Sequence, residues 1–421
     1  MKVAFVRSVD LQQANPTLKA IKQYAFQNDI EMKLFYTDGN CNTELFPGDF
    51  EKVKEDIKPE ELCEKIIQWN ADAVISISLP DNNAHRDSYL KELLEKKFNI
   101  PVIMHPVNTT LLLSNKWETN QWLKRNGYQV PKSILVYGDL LSKRTVSYVA
   151  YIDSIISKVK EMKEPYFLKP LWDSMSSGVL KINDINELKA YLSDKNINYD
   201  FVIEEQVNGG LYGMEVVGNN GNYFCQPLVK KCTGVTDSLV PFDHVRFGPF
   251  SVNNDERTQL ENNLIDICNK LEVCGSVEFE FIRNELGFYI IEINPRVSGM
   301  TNLSSAISGV NTYTCLLQMA EDHVLDLKTN NQFTLELPLE NMSIDKTKEL
   351  SSLKEVYSIN HVVYHDGTEQ YKMLFQVNNL EEATDKLSEI NIYSNNIPSF
   401  VFEEIAQEIK QENLIKERVL V

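Results

Sequence analysis

Acidic or amide residues recur at alternate positions in two short, largely apolar segments of this chain. Residues two apart share a face of a β-strand, so Glu278 and Glu280 would share one face of the first segment, and Glu292 and Asn294 one face of the second. The polar turn between the segments, residues 284–287, predicts a β-hairpin that brings these faces together. Carboxylate and amide oxygens suit Mg²⁺, which takes its other ligands from water and nucleotide phosphates. A solvated hairpin face is the alternative, but acids within an apolar strand need a compensating partner, which favours a metal site.

The hairpin resembles the metal-binding signature of the ATP-grasp superfamily, and the resemblance extends over most of the chain. By this resemblance Glu278, Glu292 and Asn294 would bind Mg²⁺ or Mn²⁺, and Arg296 would contact phosphate or an acyl-phosphate intermediate. The implied fold class is α/β and multidomain. It comprises an ATP-grasp fold, a preceding Rossmann-like domain with a parallel sheet, and a small C-terminal α+β subdomain.

Composition limits the kinds of protein to be considered. A chain of 421 residues is too long for one compact core and predicts two or three domains. The net charge of −18 opposes broad contact with nucleic acid or an anionic membrane and favours a small-molecule substrate. The seven cysteines include no Cys-x-x-Cys pair, so reduced, mostly buried thiols are expected. The apolar run at residues 3–6 is too short for a signal peptide or membrane span, and a cytoplasmic location is expected.

The first part of the chain alternates strand-like and helix-like segments. Strands are predicted at residues 2–6, 32–36, 73–77 and 102–104, and helices at residues 16–26, 60–69 and 86–97. This alternation predicts βαβ units in a parallel sheet. No Gly-x-Gly-x-x-Gly follows the first strand, which argues against a dinucleotide site and a Rossmann-type dehydrogenase. In ATP-grasp ligases, a domain of this type commonly helps to hold the substrate that is activated.

Two lysines match positions that the superfamily uses for nucleotide phosphates. Lys116 begins a helix that Ser114 is predicted to cap and that should end near Gly127. Taken alone, such a lysine is usually solvated, so its assignment rests on the resemblance. Lys169 ends the apolar strand 166–170, where a lysine is costly unless an anion lies near it. The resemblance places Lys169 at the α- and β-phosphates.

The loop that follows, residues 172–179, resembles the flap that covers the phosphates. Its predicted contacts are Ser176, Ser177 and Gly178, through backbone N–H groups and hydroxyls. Members of the superfamily often have more glycines here, so either the serines substitute for them or the loop is stiffer. An ordinary turn is the alternative.

Strand 201–207 resembles the hinge whose backbone binds adenine. The predicted hinge positions are Glu204, Glu205 and Val207. Glu215 matches by local pattern the acid that holds the ribose hydroxyls, although the connection at 208–212 looks longer than usual. Lys230, at the end of a predicted strand 222–230, is a further phosphate candidate; a solvated Lys230–Lys231 pair is an equally good interpretation.

Residues 240–249 resemble a segment that some amino-acid ligases of the superfamily place near the acceptor. His244 would then be a general base or a substrate contact, and Arg246 a carboxylate clamp. A structural histidine is the alternative.

Three domains are predicted: an N-terminal domain at residues 1–113, an ATP-grasp domain at 114–329 and a C-terminal subdomain at 330–421. Within the ATP-grasp domain, the lid is expected at about 130–205 and the metal hairpin at 275–296. The last region is predicted to form strands at 353–364 and 371–377 and a helix at 380–390. It is expected to close the site or to mediate self-association, for example as a homodimer.

The resemblance implies an ATP-dependent ligase that activates a small carboxylate, such as an amino acid, as an acyl phosphate and joins it to an amine. ADP and phosphate would be released, often in peptide or specialised-metabolite synthesis. One alternative acceptor is a thiol, such as the phosphopantetheine arm of an acyl-carrier protein, although two acidic proteins dock poorly unless a patch such as Lys230–Lys231 receives the carrier. A non-catalytic nucleotide-binding module is the alternative from another class. The joint presence of the two lysines and the hairpin acids argues against it.

Overall fold

The computed structural model describes residues 1–8, 11–142, 150–172, 178–194, 197–233, 243–325, 327–363 and 369–419. The described strands form three sheets, one in the N-terminal region and two in the remainder of the chain. The multidomain α/β architecture expected from the sequence is confirmed.

The N-terminal sheet is five-stranded and parallel, in the order β3-β2-β1-β4-β5. Its strands are β1 (Lys2–Arg7), β2 (Glu31–Tyr36), β3 (Asp49–Lys52), β4 (Ala73–Ser76) and β5 (Val102–Ile103). The accompanying helices are α1 (Lys22–Gln27), α2 (Pro59–Gln68), α3 (Asp81–Phe98) and α4 (Val107–Ser114). The short strand β3 was not predicted from the sequence, because it is largely exposed and its residues do not alternate between apolar and polar. Of the helix predicted at 16–26, residues 22–26 belong to α1, whereas Lys19–Ile21 form a 3-10 turn.

Alternate residues of β1 serve two hydrophobic cores, one on each face of this sheet. Val3 and Phe5 belong to one core and Ala4 and Val6 to the other. Both faces are covered, as is usual for a parallel sheet. The chain order reverses beside β1, with β2 and β3 on one side and β4 and β5 on the other. In sheets of this kind, ligands bind outside the carboxyl ends of the strands at the point of reversal.

A four-stranded antiparallel sheet, in the order β6-β9-β7-β8, lies in the region predicted as the lid and is called the lid sheet below. Its strands are β6 (Ser133–Val136), β7 (Tyr166–Pro170), β8 (Leu180–Ile182) and β9 (Phe201–Glu205). Its helices are α5 (Lys116–Arg125), which precedes the sheet, α6 (Gly138–Leu141), α7 (Tyr151–Val159) and α8 (Ile185–Leu192). Asn115, not Ser114, caps α5, because its side chain accepts hydrogen bonds from the backbone N–H groups of Trp117 and Glu118. Ser114 is the last residue of the preceding helix.

The largest sheet has nine strands, with the order β15-β14-β10-β12-β13-β16-β18-β17 and with β11 paired to β10. Its strands are β10 (Gly210–Asn219), β11 (Asn222–Cys225), β12 (Val229–Lys231), β13 (Arg246–Gly248), β14 (Gly275–Asn284), β15 (Gly287–Asn294), β16 (Thr334–Leu339), β17 (Val356–Val363) and β18 (Glu369–Gln376). Its helices are α9 (Asn254–Lys270), α10 (Thr301–Ser308), α11 (Thr312–Ala320), α12 (Ile344–Ser351), α13 (Leu380–Ser394) and α14 (Ser399–Val419).

Two features of this sheet differ from expectation. The strand predicted at 222–230 is two strands, β11 and β12, with Gln226, Pro227 and Leu228 between them. Proline has no N–H group to donate to a ladder and is disfavoured within a central strand. The C-terminal strands do not form a sheet of their own, since β16 pairs with β13 and continues the large sheet.

All seven cysteines are free thiols, and four of them are buried. None of the described helices combines the length and the apolar character that a bilayer crossing requires.

Candidate active site

The predicted hairpin is present as β14 and β15, which pair antiparallel. Glu278 lies opposite Asn294, and Glu280 lies opposite Glu292, so the four side chains share one face of the sheet. Phe279 and its alternate neighbours lie on the other face and are buried in the hydrophobic core that α9 covers. The alternation in sequence therefore separates a packed face from a face of polar oxygen atoms.

Lysine ammonium groups pair with each acid on this face. Lys231 Nζ lies 2.8 Å from Glu278 Oε1 and 2.9 Å from Glu280 Oε1. Lys116 Nζ lies 2.9 Å from Glu292 Oε1. The hairpin acids are thus ion-paired with lysines from two other elements, α5 and β12.

Burial and charge act in opposite directions on these carboxyl groups. Burial raises the pKa of Glu278, but Lys231 and Arg246 lower it, and the resulting pKa lies below the usual value. Burial likewise raises the pKa of Glu292, but Lys116 and Lys169 lower it to below its usual value. The pKa of Glu280 is raised, because burial and the neighbouring Glu278 and Glu292 charges outweigh Lys231. Glu278 and Glu292 are therefore the acids whose ionised form this environment favours.

The predicted metal ligands are hard oxygen donors. Asn294 Nδ2 lies 3.5 Å from Glu278 Oε2, and Asn294 Oδ1 accepts a hydrogen bond from Arg296 at 3.3 Å. Among the described residues, no three His, Cys, Asp or Glu side chains converge closely enough to hold a metal ion. The predicted set contains only two carboxylates and an amide, and each carboxylate is ion-paired with a lysine. Its chemistry fits Mg²⁺, which binds through one or two carboxylates and takes phosphate oxygens and water as further ligands.

Lys116 and Lys169 come from different elements and converge on the hairpin. Both are near enough to Glu292 to lower its pKa. Lys169, on β7, also forms an ion pair with Glu204 on the adjacent strand β9. The backbone N–H of Lys116 donates to Leu171 O at 3.1 Å, which joins the start of α5 to the end of the lid strand.

The remaining hinge positions lie at the end of β9. Glu205 accepts hydrogen bonds from the backbone N–H groups of Lys132 and Lys163, at 3.2 and 3.3 Å. Val207 lies two residues beyond the strand and is partly exposed. Of the predicted flap residues, Gly178 is exposed with a φ of 74°. Ser176 and Ser177 lie outside the described residues.

Glu215 lies on β10 opposite Glu278 and is fully buried. Its Oε1 accepts a hydrogen bond from Ser276 Oγ at 2.7 Å, and burial raises its pKa to about 7. Contact with a ribose would require this side chain to become exposed.

Lys230 lies on the opposite face of the sheet from the hairpin acids. Its Nζ lies 3.4 Å from Tyr212 Oη and 3.6 Å from Glu408 Oε2 on α14. The structure therefore brings Lys231, not Lys230, to the polar face of the hairpin. Alternation along β12 accounts for the difference, since consecutive residues of a strand point to opposite faces.

His244 and Arg246 contact different parts of the molecule. His244 is buried, with Nδ1 2.5 Å from Glu404 Oε1 on α14. Arg246 lies beside Lys231 across β12 and β13 and forms an ion pair with Glu336 on β16. It also donates to Gly299 O at 2.9 Å, in the loop that follows the hairpin. Arg246 therefore lies at the edge of the hairpin site, and the described partner of His244 is in the C-terminal helix.

The same sheet face carries charged residues that were not selected from the sequence. Glu336 and Lys372 lie 3.8 Å apart on β16 and β18, and burial lowers the pKa of Lys372 to about 7. Glu280 was placed on this face of the hairpin from the sequence but was not predicted as a ligand. A charged residue between apolar neighbours, as in Leu335-Glu336-Leu337, was the available signal. It is the same signal that identified the hairpin.

Arg296 connects the hairpin to the N-terminal sheet domain. Its Nε lies 2.6 Å from Oδ1 of Asp81, the first residue of α3. Because Arg296 also donates to Asn294, the predicted phosphate contact lies between the hairpin and the start of α3.

Residues 113–300 match the family model described as the ATP-grasp domain. The chain has the ATP-grasp fold. The hairpin, the lid sheet and both predicted phosphate lysines lie within the matched segment.

The curated relatives include a synthase and a ligase. A carbamoyl-phosphate synthase from Methanobrevibacter smithii is 24% identical over 330 residues, which cover 77% of this chain and 84% of the relative. A 3-methyl-D-ornithine–L-lysine ligase from Methanosarcina mazei is 27% identical over 188 residues, which cover 44% of this chain and 47% of the ligase. This chain thus matches about half the length of that ligase.

Solved structures share the ATP-grasp architecture over nearly the full length. The L-amino acid ligase from Bacillus licheniformis has a TM-score of 0.67 at 16% identity, covering 93% of this chain and 97% of the ligase. The biotin carboxylase domain of the Hydrogenobacter thermophilus 2-oxoglutarate carboxylase, solved with MgADP and bicarbonate, has a TM-score of 0.68 at 13% identity. That comparison covers 96% of this chain and 93% of the carboxylase domain. At these identities the similarity establishes the fold.

Proposed function

We propose that this protein is an ATP-dependent ligase that activates a small carboxylate, such as an amino acid, as an acyl phosphate and joins it to an amine. The observation that carries the proposal is the ion pair of Lys116 with Glu292, 2.9 Å apart, in the segment that matches the ATP-grasp domain. Lys169, from the lid sheet, also lowers the pKa of Glu292. Lysines and acids that meet across separate elements suit a triphosphate and its divalent cation. The names of two similar proteins, an L-amino acid ligase and a ligase of 3-methyl-D-ornithine with lysine, support an amino-acid substrate.

The proposed reaction has two displacement steps. A carboxylate oxygen of the substrate attacks the γ-phosphorus of ATP, and the bond from that phosphorus to the bridging oxygen breaks to release ADP. The amine nitrogen then attacks the acyl carbon, the bond from that carbon to the phosphate oxygen breaks, and phosphate and a proton leave. Positioning and charge stabilisation supply the catalysis, so no nucleophilic side chain is required.

The residues of the chain would neutralise and orient the anionic groups. Lys116 and Lys169 would bind phosphate oxygens, and Arg296 would hold the acyl phosphate between the hairpin and the N-terminal domain. Glu278, Glu292 and Asn294 would hold Mg²⁺ or Mn²⁺, which when bound neutralises charge on the phosphate oxygens. The lysine ammonium groups that now face the hairpin acids are the natural partners of incoming phosphates. Nucleotide binding would therefore exchange ion pairs within the site.

The lid sheet would keep water from the acyl phosphate until the amine arrives. Lys169 and Glu204 lie on adjacent lid strands, and the N–H of Lys116 bonds to the segment after β7. A movement of this sheet would be transmitted directly to the phosphate lysines. Exclusion of water is a general requirement for reactive intermediates of this kind.

An amine acceptor is favoured over the thiol of an acyl-carrier protein. The Lys230–Lys231 pair was the patch that could have received an acidic carrier, but these residues are only 5% and 2% exposed. Because buried cations offer little to a docking protein, this patch does not support the carrier alternative.

The proposal is tested by measuring ATP consumption with Mg²⁺ across single amino acids and pairs of amino acids, with and without a pantetheine thiol. Release of ADP and phosphate only with a particular carboxylate and amine is expected. Turnover only with the thiol would favour the carrier alternative. Formation of AMP would contradict the acyl-phosphate route, and nucleotide binding without turnover in any combination would favour a non-catalytic module.

A further inference from the structure

An arginine of α3 contacts Ser78, which follows the carboxyl end of β4 beside the crevice where the strand order of the N-terminal sheet reverses. Beyond the carboxyl end of β4, the chain passes Ser78 and enters α3, which carries Arg86 and Asp87. Such a crevice is the usual ligand position in an open parallel sheet. The 18-residue helix α3 also directs its N-terminus, with its partial positive charge, toward this end of the sheet.

The guanidinium of Arg86 is held in one orientation. Its Nε and Nη2 lie 2.8 and 2.7 Å from Asp87 Oδ1, and Nη2 also lies 3.4 Å from Ser78 Oγ. Asp87 is fixed in turn, because Ser76 Oγ donates to its Oδ2 at 2.7 Å. The Arg86 side chain is only 10% exposed and that of Asp87 only 1%.

One nitrogen of this guanidinium remains without a protein partner. Arg86 Nη1 is buried and has no hydrogen-bond acceptor among the described residues. Buried polar groups nearly always have a partner, and an unmet donor on a charged group is especially costly. Asp87 and the serines fix the orientation of the guanidinium. Nη1 can therefore donate a hydrogen bond to a ligand without rearrangement of the side chain.

The crevice borders the hairpin site. A small cavity of about 10 Å³ is lined by Ser76 and Ser78 on the N-terminal side and by Ser276 and Arg296 on the hairpin side. That volume is enough for about one water molecule, so a larger group would enter as the two sides separate. The Arg296–Asp81 ion pair spans the same boundary.

We propose that Arg86 is the receptor for a carboxylate on the amine acceptor, which would therefore be an amino acid with a free carboxylate. This inference rests on the proposed function. When two simple amino acids are joined, the carboxylate of the donor is consumed by activation. The carboxylate that persists through the reaction belongs to the acceptor, and it is the group that a fixed arginine outside the phosphate site would recognise.

The test compares each acceptor amino acid with its carboxamide, which has the same shape without the negative charge. The wild-type protein should prefer the acid by roughly 10-fold or more in kcat/KM, as expected for one charge-assisted hydrogen bond. The double variant Arg86→Gln, Asp87→Asn replaces a buried ion pair with a neutral pair and leaves no uncompensated charge. It should reduce the preference to about 3-fold or less, through the KM of the acceptor, with the KM of ATP unchanged.

Lys96→Gln is the matched control, because Lys96 lies on α3 with 72% of its side chain exposed. It should retain the full preference for the acid. An undiminished preference in the Arg86→Gln, Asp87→Asn variant would overturn the assignment of Arg86 and leave the ligase proposal intact.

A binding measurement separates this inference from the ligase activity. Melting temperatures are measured with sodium succinate and with succinamide, its uncharged counterpart. Succinate should raise the melting temperature of the wild-type protein more than succinamide does, and the difference should be absent in the double variant. Equal shifts with the two compounds in the wild-type protein would overturn the anion site even if the ligase reaction were established.

Discussion

At the scale of single residues, the main feature of the candidate site is that each hairpin acid faces a lysine from another element. Glu292 pairs with Lys116 of α5, and Glu278 pairs with Lys231 of β12. A buried ion pair is weak evidence for stability, because desolvation cancels much of the attraction. Removal of one partner is nevertheless costly, because it leaves a buried charge without compensation. These pairs are therefore better explained by a function that needs both charges than by stability.

Glu292→Gln tests the role of the hairpin acid directly. The substitution keeps the shape of the side chain but removes the charge that faces Lys116 and the predicted cation. Turnover should fall by roughly 100-fold or more, as when a principal electrostatic contact in a site is removed. The measurement is steady-state ADP release with Mg²⁺, together with a thermal melt that verifies folding.

Glu389→Gln makes the same chemical change on the exposed face of α13, where 67% of the side chain is accessible. This control should retain normal turnover. If Glu292→Gln remained folded and as active as the control, the metal assignment of this residue would be wrong.

At the scale of elements, the lid sheet presents Lys169 to the hairpin. Lys169→Ala removes a charged donor from the predicted phosphate site, which should weaken ATP binding by roughly 10- to 100-fold. Because Glu204 would lose its buried partner, the double variant Lys169→Ala, Glu204→Gln is measured alongside it. Both should show the loss in a direct titration with Mg-ATP.

Lys181→Ala provides the control within the same sheet, since Lys181 is exposed on the edge strand β8. Its affinity for ATP should match that of the wild-type protein. Unchanged affinity in both Lys169 variants would make Lys169 a structural residue of the lid.

Local patterns predicted the elements better than the contacts between them. The hairpin was readable because Glu278 and Glu292 interrupt apolar alternation within one short segment. The pairing of Arg246 with Glu336 could not be predicted from the sequence, because it depends on β16 joining the sheet beside β13 after a long intervening segment. The choice between Lys230 and Lys231 depended on the register of a three-residue strand. A shift of one residue in such a strand reverses which side chain faces the site.

At the scale of the whole molecule, His105 joins the N-terminal sheet domain to the hairpin strand. The backbone N–H of Cys274 donates to His105 Nδ1 at 3.1 Å, and His105 Nε2 lies 3.1 Å from Ser276 O. The neutral ring with hydrogen on Nε2 therefore satisfies both contacts, whereas a protonated ring would oppose an N–H group at Nδ1. Burial lowers the pKa of His105 to about 4.

This arrangement predicts acid sensitivity at the domain boundary. The folded pKa is below the unfolded value of 6.5, so the stabilising contribution is present above pH 6.5 and is lost as the pH falls through about 4. The difference between these pKa values corresponds to about 3 kcal/mol at most. His105→Gln should therefore lose less unfolding free energy than the wild-type protein between about pH 7 and pH 4.5 in urea titrations.

His323→Gln is the corresponding control, because the His323 side chain is 57% exposed. Its pH dependence should follow that of the wild-type protein. Equal loss of stability in wild-type and His105→Gln proteins would show that His105 does not carry the acid sensitivity.

The central claim is that the carboxylate substrate passes through an acyl phosphate, and transfer of an oxygen isotope tests it most directly. The carboxylate of the substrate identified in the turnover screen is labelled with ¹⁸O, and the released phosphate is analysed by mass spectrometry after a single turnover. The account predicts that phosphate carries one ¹⁸O from the carboxylate and that the nucleotide product is unlabelled ADP, because the bond to the acyl carbon breaks in the second step. Unlabelled phosphate, or label recovered in AMP, would contradict it.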